Sequence, residues 1–196
     1  MAEPLADDVL DRVFRTTRTF NHYTDKPVSE ATLRALWDLM KWGPTSANQS
    51  PARIVWCVSQ EAKDKLAACA SGTNAAKIKV APVTAIIAMD MAFYDQLPKL
   101  FPHVDARSWF VGNDKLIAES AFRNSTLQGA YFIIAARLLG LDTGPMSGFN
   151  PAAVNEAFFA GTSYSVNFIS TLGYGDPEGL YPRLPRLSFE EANRIA

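Results

Sequence analysis

Only two cysteines and two histidines occur in the 196 residues, and that scarcity argues against several kinds of chemistry. Cys57 and Cys69 form neither a CxxC pair nor a metal-ligand spacing, so a disulfide framework, a dithiol motif and a zinc site find no support, and no metal is expected. Two buried, reduced thiols suit a cytoplasmic setting. His22 and His103 stand in no HExxH pattern, and neither a GxSxG elbow nor a phosphate-binding P-loop is present, which makes a protein-only hydrolase a poor reading. Excess charge is also lacking: 19 Lys+Arg stand against 20 Asp+Glu, so no global positive field draws in nucleic acid. Long hydrophobic runs are missing as well. The most apolar stretches, 80–89 and 129–141, are too short to span a bilayer, and Arg137 interrupts the second. The first eight residues carry acids where a secretory signal needs a basic segment and an apolar run, so a cytoplasmic protein without a membrane partner is expected.

What is present is a chain of one-domain length with 48% hydrophobic residues, enough for a sizeable core. Leu5, Val9, Leu10, Val13 and Phe14 predict an opening helix that ends near residues 15–18. Ser29 caps a second helix with Leu33, Leu36, Trp37 and Met40 on its apolar face, stopped by Gly43 and Pro44. A polar loop over 45–51 follows. Strands are predicted over 53–58, 83–89 and 164–172, and a helix over 60–70 capped by Ser59. Residues 91–113, aromatic and without a steady period, read as a long, lid-like excursion with one short helix. From 114 to 139 Leu116, Ile117, Ala121, Leu127, Tyr131, Ile134 and Leu138 follow a helical repeat, and Gly140 terminates it. At about 1.5 Å per residue that helix is roughly 39 Å long, enough to build a dimer interface. Asn150 and Pro151 open another helix. Ser188-Phe189-Glu190-Glu191 has the spacing of a capping box and starts a last short one.

Three loops have the composition to hold a phosphorylated, planar ligand. Arg15-Thr16-Thr17-Arg18 offers two guanidiniums and two hydroxyls to a phosphate. The stretch from Gly43 to Pro51 is dense in small hydroxyl and amide groups. Gly144-Pro145-Met146-Ser147-Gly148-Phe149 follows the long helix, and its glycines admit close approach of backbone N–H groups to a ligand edge.

In this order along the chain, the segments resemble the nitroreductase family. Arg15-Thr16-Thr17-Arg18 resembles the family's Arg-Ser-x-Arg motif, and Pro44-Thr45-Ser46-Ala47-Asn48-Gln49-Ser50-Pro51-Ala52 its Pro-Ser-Ser-x-Asn-x-Gln-Pro-Trp loop, with Ser50 and Ala52 departing from the pattern. Asn74-Ala75-Ala76-Lys77 is similar to the family's Asn-x-x-Lys element. Ser147 stands where an acidic residue is often found. Within the family, the likeness is to malonic semialdehyde reductases of pyrimidine degradation, carried by residues 40–48, 101–103, 105–110, 144–149 and 183–191.

The resemblance implies an α+β, three-layer nitroreductase fold in one domain spanning 1–196, with a central, mostly antiparallel sheet flanked by helices, in an intertwined homodimer. It implies bound FMN at the subunit interface and NADH or NADPH as co-substrate. Arg15, Thr16, Arg18, Arg183 and Arg186 are then candidates for the FMN phosphate. Pro44, Thr45, Ser46 and Asn48 reach the flavin from the partner subunit, Asn74 and Lys77 face its pyrimidine edge, and the backbone of Pro145, Met146, Ser147 and Gly148 lies against its N5 and O4. Lys77 would stabilise the negative charge that reduction places near N1. Hydride chemistry belongs to the flavin, so no catalytic triad is expected. The expected reaction is reduction of malonic semialdehyde to 3-hydroxypropionate, with a broad nitroaromatic or quinone reductase as the alternative and a flavin-binding redox sensor as the non-enzymatic one. A carboxylated aldehyde needs a cation, for which Arg107 is the first choice and Arg53 the second. His103, Tyr94 or solvent would supply the proton.

Overall fold

The computed structural model describes residues 3–196. Strands β1 (Ala52–Cys57), β2 (Val83–Asp90), β3 (Asp142–Met146) and β4 (Tyr164–Gly173) form one sheet in the order β1-β2-β4-β3, every neighbouring pair antiparallel. Side chains alternate across a strand, so each face of the sheet needs its own cover. Along β2, Val83, Ala85 and Ile87 join a core with Leu33, Leu36 and Met40 of α2 (Glu30–Met40) and Phe132, Ala135 and Ala136 of α6 (Asp114–Leu138). Ile86 and Ala88 point the other way. They meet Leu66 of α3 (Gln60–Ala67), Ile78 of α4 (Asn74–Val80) and Val154 and Phe159 of α7 (Pro151–Phe159). Helix, sheet and helix therefore stack in three layers. Each fully buried side chain such as Leu36, Met40 or Phe132 contributes about 1.5–3 kcal/mol by leaving water.

The caps read from the sequence form. Ser29, Ser59 and Asn150 accept from the backbone N–H groups of Thr32, Ala62 and Ala153, and Ser188 with Glu191 makes a complete capping box on α8 (Phe189–Ala192). Three elements differ from expectation, and a fourth, the excursion, has more structure than its one expected helix. The opening helix is short, α1 (Asp7–Leu10), and then widens into a π-helical turn over Asp11–Arg15, closed by the Thr16 N–H on the Asp11 carbonyl at 2.9 Å. The helix expected over 60–70 stops at Ala67, and α4 is a separate element. Residues 142–146 form a strand rather than part of a loop. Pro145 is tolerated there because β3 lies at the sheet's edge; its outer side carries an isolated bridge between Thr143 and Thr19, not a further strand, among the described residues. The excursion over 91–113 holds α5 (Leu97–Leu100) and two 3-10 turns, and it has a core of its own. Phe93, Leu97, Ala106 and Phe110 pack there with Ile117 and Ala121 of α6.

Helix α6 runs through the middle of this arrangement. A Cβ at Gly129 would collide with the Phe168 ring of β4, and one at Gly43 would stand 2.7 Å from the Tyr131 ring. Both glycines let α6 approach its neighbours closely.

Candidate active site

At the C-terminal end of α6, four arginines from distant parts of the sequence line one cavity of about 510 Å3: Arg18, Arg137, Arg183 and Arg186. No carboxylate lines it, and among the described residues none of the four forms an ion pair. Their hydrogen bonds go to backbone carbonyls. Arg18 donates to Tyr181, Arg137 to Val13 at 2.8 Å, Arg183 to Thr17 at 2.7 Å, and Arg186 to Leu184 and Pro185. A neutral carbonyl uses one N–H of a guanidinium that carries five. Burial lowers the pKa of Arg137 from its ordinary value; Asp142 opposes that shift and Arg183 adds to it. Since arginine does not lose its proton in proteins, the group stays a partly desolvated cation beside another cation. An anion relieves that strain.

A second cavity, of about 340 Å3, shares Asn21 and Tyr181 with the first and leads to Thr73 and Lys77. Lys77 has no ion-pair partner among the described residues. One turn before it, Asn74 donates through Nδ2 to the Gly148 carbonyl at 3.1 Å, and the Ser71 N–H donates to the same oxygen at 2.9 Å. These bonds fasten α4 to the turn after β3. A Cβ at Gly148 would stand 2.6 Å from the Asn74 amide, so the close approach requires glycine. Pro145 and Ser147 are exposed beside it, and Met146 is half-buried. The groove thus leads from four arginines to one lysine with no acid along its walls.

Two members of the expected phosphate set point elsewhere. Arg15 donates to Asp7 at 2.7 Å and to Asp11 at 3.1 Å, and those hydrogen bonds raise its pKa. Thr16 turns its hydroxyl back onto the Asp11 carbonyl at 2.9 Å. Thr17 lines this cavity, and Thr16 lines an adjoining one that shares Thr17, Arg18 and Arg137 with it. Arg137 was missed in the sequence reading, where it appeared only as a charge interrupting an apolar stretch. A lone arginine in the last turn of an otherwise apolar helix is the signal that could have found it.

The loop after α2 lies beside the N-terminal half of α6, about 20 Å from Arg137 along the helix at ~1.5 Å per residue. Pro44, Thr45, Ser46 and Asn48 stand together there. The Ser46 N–H donates to Asn124 Oδ1 at 2.8 Å, and Asn48 Nδ2 to the Leu100 carbonyl at 2.9 Å. Ala47, Asn48 and Ser50 all have left-handed backbone, with φ of 48°, 50° and 40°. Such residues cost of order 1–3 kcal/mol each and persist only where surrounding bonds dictate them. Within one chain this loop does not meet the arginine cavity.

The substrate candidates also lie at this end. Arg53 is occupied: it donates to Asp90 at 2.7 Å and to the carbonyls of Ser50 and Ala52. Arg107 donates through Nε to Asp95 at 2.8 Å and sits over the Tyr94 ring at 5.7 Å, so its terminal nitrogens keep no other hydrogen bond among the described residues. His103 is exposed, edge-on to Phe101 at 5.6 Å. Among the described residues no cluster of His, Cys, Asp and Glu could hold a metal ion, and no helix is long and apolar enough to cross a membrane.

The sequence model of the nitroreductase family matches residues 14–174, from the start of the arginine cavity to the end of β4. The chain belongs to the nitroreductase family. A Stenotrophomonas maltophilia protein, provisionally named an NADH dehydrogenase/NAD(P)H nitroreductase, is 59% identical over 196 residues, all of both chains. A Burkholderia lata protein of the same provisional name is 60% identical over 97% of this chain and 98% of its own. Among solved structures, a nitroreductase-like protein from Exiguobacterium sibiricum, crystallised with FMN, superposes with a TM-score of 0.85 at 23% identity, with both chains fully covered. One from Bacillus subtilis gives 0.85 at 19% identity over 97% of this chain and 100% of its own. At such identities the superpositions establish a shared nitroreductase fold.

Proposed function

We propose that this nitroreductase is an FMN-dependent NAD(P)H oxidoreductase, and that its active site is completed only in a homodimer. The observation that carries the reading is the groove of four unpaired arginines and Lys77, which fits a ligand with a dianionic phosphate at one end and a polar ring at the other. Arg18, Arg137, Arg183 and Arg186 would hold the phosphate, with charge-assisted bonds added to those they make to carbonyls. Lys77 would place its ammonium at the ring's pyrimidine edge, Asn74 would fix the turn at Gly148, and the exposed backbone from Pro145 to Gly148 would border the ring. When bound, FMN supplies the hydride chemistry, taking hydride from NADH or NADPH and passing it to the acceptor. The E. sibiricum protein's FMN and the relatives' names agree with this.

The dimer follows from what one chain leaves apart. Leu127, Tyr131 and Leu138 are 46%, 38% and 50% exposed on one face of α6, an apolar stripe in addition to the one buried against the sheet. Two copies joined along that stripe in opposite directions bring the Thr45–Asn48 loop of each toward the arginine groove of the other. The excursion comes with it. There Arg107 is the cation available to a carboxylated acceptor, and malonic semialdehyde is the narrower substrate reading; nitroaromatics and quinones are the broader one. Arg53, held by Asp90, serves the fold.

The test is an absorbance spectrum of the purified protein under anaerobic NADH, followed by each acceptor. Flavin bands that bleach with NADH and return with malonic semialdehyde support the flavin-dependent reaction and the narrower substrate reading together. Return only with a nitroaromatic or quinone removes the narrower one, and protein that cannot be loaded with FMN overturns the proposal.

A further inference from the structure

The buried face of α6 changes character along its length. Toward the C-terminus it is Phe132, Ala135 and Ala136; before them, beside the apolar Ile117 and Ala121, it carries Ser120, Asn124 and Gln128, spaced by four and 7%, 2% and 1% exposed, together with the fully buried Ser125. Polar side chains so thoroughly buried need partners: Ser125 accepts from Asn167 and donates to the Phe122 carbonyl, and the other three bond to the segment 46–52. Ser120 Oγ bonds with the side chain of Gln49, itself fully buried, at 3.0 and 3.2 Å. Asn124 Oδ1 accepts the Ser46 N–H at 2.8 Å, and Gln128 Oε1 accepts the Ala52 N–H at 2.8 Å. Gln49 Nε2 also reaches back to the Ser46 carbonyl at 3.0 Å, and Thr45 Oγ1 accepts the Ser50 N–H at 3.1 Å. The three left-handed residues lie between these tethers.

We propose that the ladder Ser120–Asn124–Gln128, with Gln49, is a positioning device that holds the Thr45–Asn48 loop in the shape with which it meets the FMN of the partner subunit. This rests on the reading of the site as a shared flavin site. An unsupported loop with three non-glycine left-handed residues relaxes into ordinary backbone, and its hydroxyl and amide groups then point elsewhere. A ladder that served stability alone could be apolar, as the same face is one turn further along. Asn124 is the central rung, because its oxygen fixes Ser46 directly before Ala47 and Asn48. None of the ladder residues needs to touch the flavin. They act through the loop.

The experiment measures FMN affinity by flavin fluorescence titration and, separately, the thermal midpoint of the FMN-free dimer. Asn124→Leu, similar in size but without the acceptor, is expected to weaken FMN binding by about tenfold, the equivalent of one lost hydrogen bond of ~1.4 kcal/mol. Asn124→Asp keeps the acceptor oxygen but loses the Nδ2 donor to the Ser120 carbonyl at 2.9 Å and buries a carboxylate, so it is expected to recover only part of that loss. Phe132→Leu lowers the midpoint through the adjoining core and should leave affinity within about twofold. Equal affinity in Asn124→Leu and the parent overturns the proposal, as does an equal loss in Phe132→Leu. Asn48→Ala tests the underlying reading: if it leaves affinity unchanged, the loop does not meet the flavin and that reading fails. If Asn48→Ala weakens binding while Asn124→Leu does not, only the ladder fails.

Discussion

At the C-terminal end of α6 four guanidiniums face a cavity, bonded among the described residues only to backbone carbonyls, whereas nearer its middle the buried side chains of Ser120, Asn124 and Gln128 all bond to the segment 46–52. Both regions depart from an apolar helix face, in opposite senses. The first keeps hydrogen-bonding capacity and positive charge unused by the chain, which suits an anion. The second has used its capacity, and what it gains is a backbone shape that the loop's own residues disfavour. In the proposed dimer the open end of one helix and the locked end of the other border the same ligand. Charge then provides most of the affinity, and the locked loop provides the fit.

The comparison breaks most sharply at the open end. Replacing Arg18 and Arg183 together with alanine is expected to weaken FMN binding by about 100-fold or more, since hydrogen bonds to charged groups contribute ~1.5–3 kcal/mol each; fluorescence titration reads it directly. Arg15→Ala in the same titration should change affinity by less than about twofold, because its guanidinium is held by Asp7 and Asp11 outside the cavity. A large loss there would return Arg15 to the phosphate site. At the locked end, Asp90→Asn leaves Arg53, beside the strained Ser50, without its counter-ion, and is expected to cost about 3 kcal/mol in denaturant unfolding. Lys77→Met should lower the reduction potential of the bound flavin with little effect on stability; potentiometric titration showing no shift in loaded protein removes that role.

The smallest effect concerns pH and lies away from both ends. Burial pushes the Cys57 thiol up to about 11, against a weaker opposing pull from Lys65. The folded state therefore holds the thiol proton more tightly than the unfolded chain, whose thiol titrates near its ordinary value of about 8.5. Its contribution to stability is complete below that value and is lost as pH rises toward 11. Melting curves should fall over this alkaline window in the parent and fall less in Cys57→Ala.

Much of the fold was legible because it is local. Ser29, Ser59, Asn150 and Ser188 mark helix starts through their own side-chain oxygens, and β1, β2 and β4 are strand-length segments rich in β-branched and aromatic residues. β3 was hidden because Gly144 and Pro145 resemble a turn, and only its place at the sheet's edge allows them in a strand. α4 was hidden by its length: seven residues carry too little periodicity to stand out from the helix before it. The site divides in the same way. Arg18, Lys77, Arg183 and Arg186 were found through motif likeness, but Arg137 joins them only once the end of α6 is brought beside the chain's two termini. Ser120, Asn124 and Gln128 were passed over because polar residues at helical spacing ordinarily face water, and nothing within α6 says that a loop closes over them.

The most direct test of the shared site is to pair two broken chains. One carries Arg18→Ala and Arg183→Ala, the other Asn48→Ala and Thr45→Ala, and each alone binds FMN weakly. In the mixed dimer, isolated by two different affinity tags, one groove and one loop that face each other are both intact. The account predicts that this heterodimer binds one FMN per dimer with the parent's affinity. A heterodimer with no parent-like site would show that groove and loop act within a single chain or not together at all, contradicting the assembly of the site from two subunits.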